Sequence, residues 1–498
     1  MTTENLWHLI AMLSYMMLVV GIGIFFARRA NRNPESYFLG GRSLGPWVTA
    51  FSAEASDMSG YLLMGLPGLA YWSGLAEAGW TCIGLAAGTW LNWKIVSRRL
   101  RRYSESICAI TLPDYFSRRF RERKPLLLLL SSLMILVFFC VYAAQCLSAC
   151  GKLFQHLFGL DYRAMLPVAA VFVLCYTVLG GFLAESASDF MQAIVMVLTL
   201  VAVLALGISH AGGIAQVIAH AKALPGYLSA VQTHTESGAS PYSGLSILSM
   251  LAWGLGYFGM PQVLLRFMSI RSEKELRRSR RIATVWVMIS MAAAVSIGVV
   301  GRSLLHYSSQ TAAESCFMDT ATAFLPPILA GFACAGILAA SVSSSDSYLL
   351  ISASALSQNL FRGVFRKDAT ERQVMQVSRL TLIGMTGIAC LIARNTQSTV
   401  FGITSFAWAG FGAAFGPVML FSLFWKRTTK EGAAAGMLVG AGTVFLWKLA
   451  LQPLGGIFGI YELLPAFLAA SAAIILVSLL TPAPEKAVLE EFEAVSRG

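Results

Sequence analysis

Ser56-Asp57-Met58-Ser59-Gly60 is a run of small and acidic residues set inside what otherwise reads as a membrane-spanning helix. Apolar sequence precedes it from Leu44 to Phe51 and follows it from Tyr61 to Tyr71. An ionised carboxylate at the bilayer midplane is costly, so such a residue faces a partner, a cation or a water-filled cavity. Asp57 is therefore a candidate functional residue, and the helix around it a candidate for a break.

The rest of the chain fits this setting. Its 498 residues are 56% hydrophobic and only 12% charged, with a mean hydropathy of +0.67, a balance that belongs to a polytopic membrane protein. A span needs about 20 apolar residues. Thirteen stretches qualify, near 7–27, 45–72, 76–96, 125–154, 163–182, 190–210, 244–268, 281–305, 324–360, 376–393, 399–424, 432–450 and 458–481. The net charge of +12 does not point to nucleic acid, because alternate loops hold 31 of the 37 Lys and Arg residues. Positive loops stay cytoplasmic, which predicts an outer amino terminus and an inner carboxyl terminus in the plasma membrane. The basic runs, Arg266 to Arg281 among them, then read as topology signals and as contacts to anionic lipid. The histidines are scattered and the nine cysteines show no metal or disulfide spacing, which speaks against a metal-dependent intramembrane enzyme.

A second span is interrupted as well. Trp253-Gly254-Leu255-Gly256-Tyr257-Phe258-Gly259-Met260-Pro261 places three glycines and a proline where a helix would have to continue. The two interrupted spans are second and seventh in order. An odd offset of five inverts the topology, so they fit the first helices of two inverted five-helix repeats, and paired discontinuous helices are the best sequence pointer to a transporter's binding site. The alternative is that the glycines only permit close helix packing.

The ninth span carries Ala340-Ser341-Val342-Ser343-Ser344-Ser345-Asp346-Ser347. Residues 340, 343, 344 and 347 share one helical face, aligning a carbonyl and three hydroxyls. Hard cations take oxygen ligands, which makes this face a candidate Na⁺ site; the alternative is serines bonded to their own helix, four residues back.

Six segments carry a family resemblance: FSAEASDMSGYLLMGLPG (51–68), TLPDYFSRRF (111–120), LGGFLAESASDFMQA (179–193), WGLGYFGMPQ (253–262), AGILAASVSSS (335–345) and FAWAGFGAAFGP (406–417). Together they resemble the sodium/solute symporter family, and closely its sodium/proline branch. The resemblance runs from Tyr37-Phe38-Leu39-Gly40-Gly41-Arg42-Ser43 to Tyr461-Glu462-Leu463-Leu464-Pro465. It implies an all-α LeuT-type fold of 13 transmembrane helices. Residues 1–44 would form an extra helix and the first cytoplasmic loop, and 45–424 the ten-helix transport core, with repeats about 45–210 and 244–424. Two carboxyl-terminal helices would cover 425–481, and a cytoplasmic tail 482–498.

The resemblance also implies a function, secondary transport that couples inward Na⁺ flux to L-proline uptake rather than an enzymatic reaction. Other Na⁺-driven solutes (another amino acid, a sugar, pantothenate, a sialic acid) are the alternative, and a transporter-like sensor is a further one. Na⁺ would be held by the carbonyls of Ala55, Met58 and Ala340 and the hydroxyls of Ser343 and Ser344, with Asp57 tuning the site. The substrate would meet the amides of Ser59 and Gly60 and a slot formed by Tyr142, Trp253, Tyr257 and Pro261. Three departures stand out. Ser344 takes a place where Thr is usual, Met260 one where a polar Gln is common, and Glu54 one where Gly is typical. Asp189, Asp346 and Ser347 fall where some relatives hold a second cation. Two carboxylates kept apart, or one of them protonated, would fit the same residues.

Overall fold

The structure is a computed structural model that describes residues 3–30, 34–395 and 398–497. Apart from one short hairpin, Gln232–Thr235 paired with Gly238–Pro241, its regular elements are helices. Each of the thirteen stretches expected to cross coincides with helix. By length and composition, nine helices among the described residues could span a bilayer, or ten if the bent pair Gly244–Phe258 and Pro261–Ser269 is one span.

Three interruptions set the geometry. The helix Pro46–Gly60 stops at Ser59, whose backbone adopts φ +47° and ψ −164°, a region nearly reserved for glycine. The chain makes one wide turn over Tyr61–Gly65 and resumes as Leu66–Ser73. The second interruption tightens Ala252–Phe258 into a 3₁₀ turn and restarts at Pro261, with a 43° bend. Proline suits that restart, since the first helical position needs no N–H donor. The third lies at Gly181, where φ +57° and ψ −173° divide Tyr162–His210 into two helices.

At the centre stands Pro327–Ser354, the serine-rich helix, buried along nearly its whole length. It packs against Thr3–Ala30, Pro46–Gly60, Leu126–Phe158 and Tyr162–His210. The two broken helices are tied where they approach each other. Leu44 N–H donates to Ser269 O at 3.3 Å, Arg271 N–H donates to Leu44 O at 3.0 Å, and Arg42 donates to Met268 O at 2.7 Å.

Two regions outside the core carry structure of their own. The connection 211–243 contains the helix Ile214–Ala223 and the hairpin, and Tyr227 seals it to the core by donating its hydroxyl to Ala70 O at 2.8 Å. The carboxyl-terminal stretch forms the helix Lys486–Arg497. Val488, Phe492 and Val495 are buried, and the Arg119 guanidinium lies 5.1 Å over the Phe492 ring. Its apolar residues at spacings of three and four give it a face to bury.

Candidate cation and substrate site

The break at Ser59 places polar groups where an unbroken helix would have none. Ser59 Oγ accepts from Tyr61 N–H at 3.3 Å, which caps the new turn. Ala55 O, one turn before the break, receives the Ser344 hydroxyl at 3.4 Å. That contact joins the first broken helix to the serine-rich helix. Met58 and Ala340, whose carbonyls complete the expected ligand set, are both buried.

The serines divide between bonds within their own helix and bonds to other helices. Ser345 folds back onto Ser341 O at 2.7 Å, the purely local use. Ser343, Ser344 and Ser347 reach across to other helices: Ser343 Oγ donates to Asp189 Oδ1 at 2.6 Å, Ser344 bonds Ala55, and Ser347 donates to Glu185. These three lie on the face predicted from their spacing.

Asp57 is buried and makes no ion pair among the described residues. Its Oδ1 accepts from Gln262 Nε2 at 3.1 Å, and the Tyr257 hydroxyl lies beside it. Gln262 is the second residue of the restarted helix Pro261–Ser269, so this bond connects the two breaks directly. A buried carboxylate hydrogen-bonded only to neutral groups is poorly compensated, which is what a site for a mobile cation requires.

The aromatic residues divide into two groups. Trp253 stacks on Tyr461 at 4.9 Å and on Tyr61 at 5.8 Å between ring centroids, while Tyr257 meets the edge of Trp408 at 5.0 Å. Tyr142 packs instead against Tyr348 at 4.8 Å. No ring contact among the described residues joins Tyr142 to Trp253 or Tyr257. The hydroxyl of Tyr142 and the indole N–H of Trp253 are buried without a hydrogen-bond partner among the described residues. Donors in that condition are costly unless a ligand or water meets them. Gly60 lies at a tight crossing, since a Cβ there would stand 2.8 Å from Ala149 Cβ. Met260 is buried at the cap of the restarted helix, and Pro261 is buried at its first position.

Sequence reasoning counted Arg266 with the basic loop charges although the expected span 244–268 contains it, and the structure places it in the helix. Arg266 is fully buried, one turn beyond Gln262. Its guanidinium donates to Glu185, to Asp189 Oδ2 at 3.1 Å, to Ser347 Oγ at 2.9 Å, to Ser52 Oγ at 3.0 Å and to Gln262 O at 3.2 Å. Ser52 in turn donates to Asp189 Oδ2 at 2.6 Å. Of the three residues expected at a second cation site, Asp189 and Ser347 therefore meet on Arg266, and Asp346, also buried, lies beside Thr177. Arg266, Glu185, Gln262 and Ser52 were all missed as site residues. A usable clue was present: Gln262 and Arg266, and Glu185 and Asp189, are each four residues apart and so share a helix face.

Glu54 is buried as well. Its Oε1 accepts from Trp93 Nε1 at 3.2 Å, and its Oε2 has no hydrogen-bond partner among the described residues.

Known proteins resemble this chain in sequence and in fold. The sodium:solute symporter family matches residues 37–440. The high-affinity proline transporter PutP of Bacillus subtilis is 41% identical over 479 residues, covering 96% of this chain and 98% of the relative. The sodium/proline symporter of Escherichia coli is 40% identical over 486 residues, covering 96% and 93%. In fold, the chain is similar to a Na⁺-coupled sialic acid symporter in a substrate-bound outward-open state, with a TM-score of 0.78 at 18% identity over 96% of this chain and 99% of that one. It is also similar to Mhp1, a nucleobase-cation-symport-1 family transporter, with a TM-score of 0.56 at 14% identity over 93% and 99%. Two helix breaks joined through Asp57 and Gln262, and a serine face turned toward the first of them, thus occur in a chain that aligns with curated symporters from end to end: it belongs to the sodium:solute symporter family.

Proposed function

We propose that this multi-pass membrane protein couples Na⁺ entry to the uptake of L-proline by alternating access. The observation that carries the proposal is the Ala55–Ser344 contact beside the uncompensated Asp57 carboxylate. There a Na⁺ ion can bridge the first broken helix to the serine-rich helix, using the carbonyls of Ala55, Met58 and Ala340 and the hydroxyls of Ser343 and Ser344. The names of the relatives at about 40% identity support proline as the solute. Its carboxylate would meet the amides at Ser59 and Gly60, and its ring the apolar surfaces of Trp253, Tyr257, Pro261, Met260 and Tyr142.

Coupling follows from a shared structural element. Binding of Na⁺ draws together two helices that also flank the substrate slot, so ion and solute favour the same member of a set of alternating conformations. Each positive charge that moves inward gains about 2.3 kcal/mol per 100 mV of membrane potential. In this reading the chain has thirteen spans in a LeuT-type arrangement, with residues 45–424 as the transport core. The amino terminus lies outside, and the basic loops face the cytoplasm and its anionic lipids.

Labelled-proline uptake into cells or proteoliposomes, with and without Na⁺, tests the proposal. Four-membered-ring and unsaturated proline analogues should compete, and proline amide, glucose and sialic acid should not. Competition by a sugar with none by proline would leave a sodium symporter of different substrate. Uptake indifferent to Na⁺ would remove the coupling.

A further inference from the structure

Two cavities lie on one seam of the molecule, between the helices Leu75–Leu91 and Leu276–Leu304. The first helix continues through a wide turn at Asn92–Val96 into Ser97–Ser106. At that end a cavity of about 790 Å³ is lined by seven basic and two acidic side chains. Both acids are already engaged: Glu105 pairs with Arg101 at 2.8 Å, and Glu273 with Arg98 at 3.3 Å and Arg102 at 2.9 Å. Four of the cations, Lys94, Lys274, Arg277 and Arg280, have no side-chain hydrogen bond or ion pair among the described residues. The second cavity, of about 360 Å³, is an apolar groove between residues 79–86 of the first helix and 288–296 of the second, Ile83, Met288 and Ala292 among them. Positions 79, 82, 86, 90, 94, 97 and 101 recur every three or four residues, as do 277, 280, 284, 288, 292 and 295, so one face of each helix runs from the basic cavity to the apolar one. Between the two, the exposed Trp90 ring carries Lys94 Nζ at 4.4 Å and the Arg280 guanidinium at 5.8 Å. Tryptophan with basic neighbours is the usual marker of the membrane–water boundary.

We infer that this seam binds an anionic phospholipid, with the phosphate headgroup in the basic cavity and an acyl chain along the apolar groove. Only the multi-pass membrane setting is needed, whatever the solute. Unpaired like charges around one cavity repel each other, and an anion among them removes that cost. Phosphate oxygens suit both the point charges of Lys94 and Lys274 and the planar forks of Arg277 and Arg280, and basic pockets between membrane helices hold headgroups of this kind. A free phosphate ester would account for the basic cavity and leave the groove in line with it unexplained. A zwitterionic headgroup would bring its own ammonium among the cations. The bound headgroup also braces the second broken helix, because Arg101 at the cavity wall donates to Ile270 O at 2.7 Å, just past the end of that helix.

The test titrates three probes onto the purified full-length protein in detergent: phosphatidylglycerol, phosphatidylcholine with the same acyl chains, and glycerol phosphate. Native mass spectrometry counts the lipid retained, and the rise in melting temperature gives its affinity. Phosphatidylglycerol should stay bound and raise the melting temperature, while the other two should do neither at the same concentration. Lys94→Gln/Arg280→Gln should weaken phosphatidylglycerol binding about fivefold for each charge removed. Lys274→Gln/Arg277→Gln, at two exposed positions, should do the same and keeps the test open if the first variant fails to fold. Arg366→Gln/Lys367→Gln removes as much charge from exposed positions on another basic loop and should leave binding unchanged. Ala292→Phe fills the apolar groove without altering charge and should also weaken the lipid. Equal stabilisation by phosphatidylcholine overturns the inference, as does glycerol phosphate binding as tightly as the lipid, which would make the cavity a free phosphate ester site. Unchanged binding in the cavity variants or in Ala292→Phe overturns it too, and so does an equal loss in Arg366→Gln/Lys367→Gln, which would mean diffuse attraction to the basic surface.

Discussion

Asp57 and Asp189 are both buried aspartates, the first two residues before the break at Ser59 and the second eight residues after the break at Gly181. Asp57 has a neutral amide for its hydrogen-bond partner. Asp189 has a guanidinium and two hydroxyls. A carboxylate whose counter-charge is part of the chain is a fixed structural element, because separating the pair leaves an uncompensated charge at a cost of about 3–5 kcal/mol. A carboxylate without such a partner can gain one from solution and lose it again. On the proposed reading, the contrast points to Asp57 rather than Asp189 as the aspartate beside which an ion comes and goes.

The sharpest way to break this comparison is to remove the unpaired charge. Asp57→Asn should reduce Na⁺-driven proline uptake on the order of a hundredfold or more, while Asp57→Glu, which keeps the charge, should retain part of it. Initial uptake rates at fixed membrane potential check this, with transporter abundance measured alongside. Normal uptake by the Asn variant would deny Asp57 any special place beside the ion. Next in size are the hydroxyls. Ser343→Ala and Ser344→Ala should each raise the Na⁺ concentration for half-maximal uptake about tenfold, the equivalent of about 1.4 kcal/mol, because nothing replaces the lost ligand in a dry site. Ser345→Ala is the control. Its hydroxyl is spent on Ser341 O, so its Na⁺ dependence should be unchanged.

The difference between the two aspartates was only half legible in the sequence. Asp57 stands out because small and acidic residues interrupt an apolar run, and glycines with a proline announce the second break in the same way. The serine face followed from helical spacing alone. Arg266 was hidden by its neighbours. It precedes Arg271, Lys274, Arg277, Arg278, Arg280 and Arg281 and was counted with them as a loop charge, although Phe267, Met268 and Ser269 after it are buried and still helical. A charge's membership of a helix or a loop depends on where the helix ends, and helix ends are poorly fixed by local sequence. The pairing of Arg266 with Glu185 spans 81 residues and has no local signature at all. The carboxyl-terminal helix was obscured for a related reason, since its apolar face is short and gains a partner only through tertiary packing.

The aromatic slot extends the comparison from ion to solute. Trp253 is almost wholly buried between Tyr461 and Tyr61, so Trp253→Ala should weaken proline binding by about 1–3 kcal/mol, or about 5- to 150-fold. Na⁺ binding measured without proline should change far less. Equal losses for the two ligands would mean that the substitution damages the fold rather than the slot.

The smallest expected effect concerns the breaks themselves, and it uses two positions with nearly the same backbone. Ser59 adopts φ +47°, ψ −164° and Gly181 adopts φ +57°, ψ −173°, in a region where a side chain costs about 1–3 kcal/mol. At Gly181 no side chain is present to strain. At Ser59 the strain is retained, and the hydroxyl takes up the N–H of Tyr61. Gly181→Ala should therefore lower stability by about 1–3 kcal/mol. Ser59→Gly should raise it by at most about 1 kcal/mol, because the relieved strain is partly offset by the lost hydrogen bond, worth about 0.5–1.5 kcal/mol, and by greater freedom of the unfolded chain. Thermal unfolding of the purified protein without ligands measures both. If Ser59 is kept for the solute rather than for the fold, Ser59→Gly should bind proline more weakly while melting no lower than the unmodified protein. Weaker binding accompanied by a lower melting temperature would return Ser59 to a purely structural role, that of capping the turn at Tyr61.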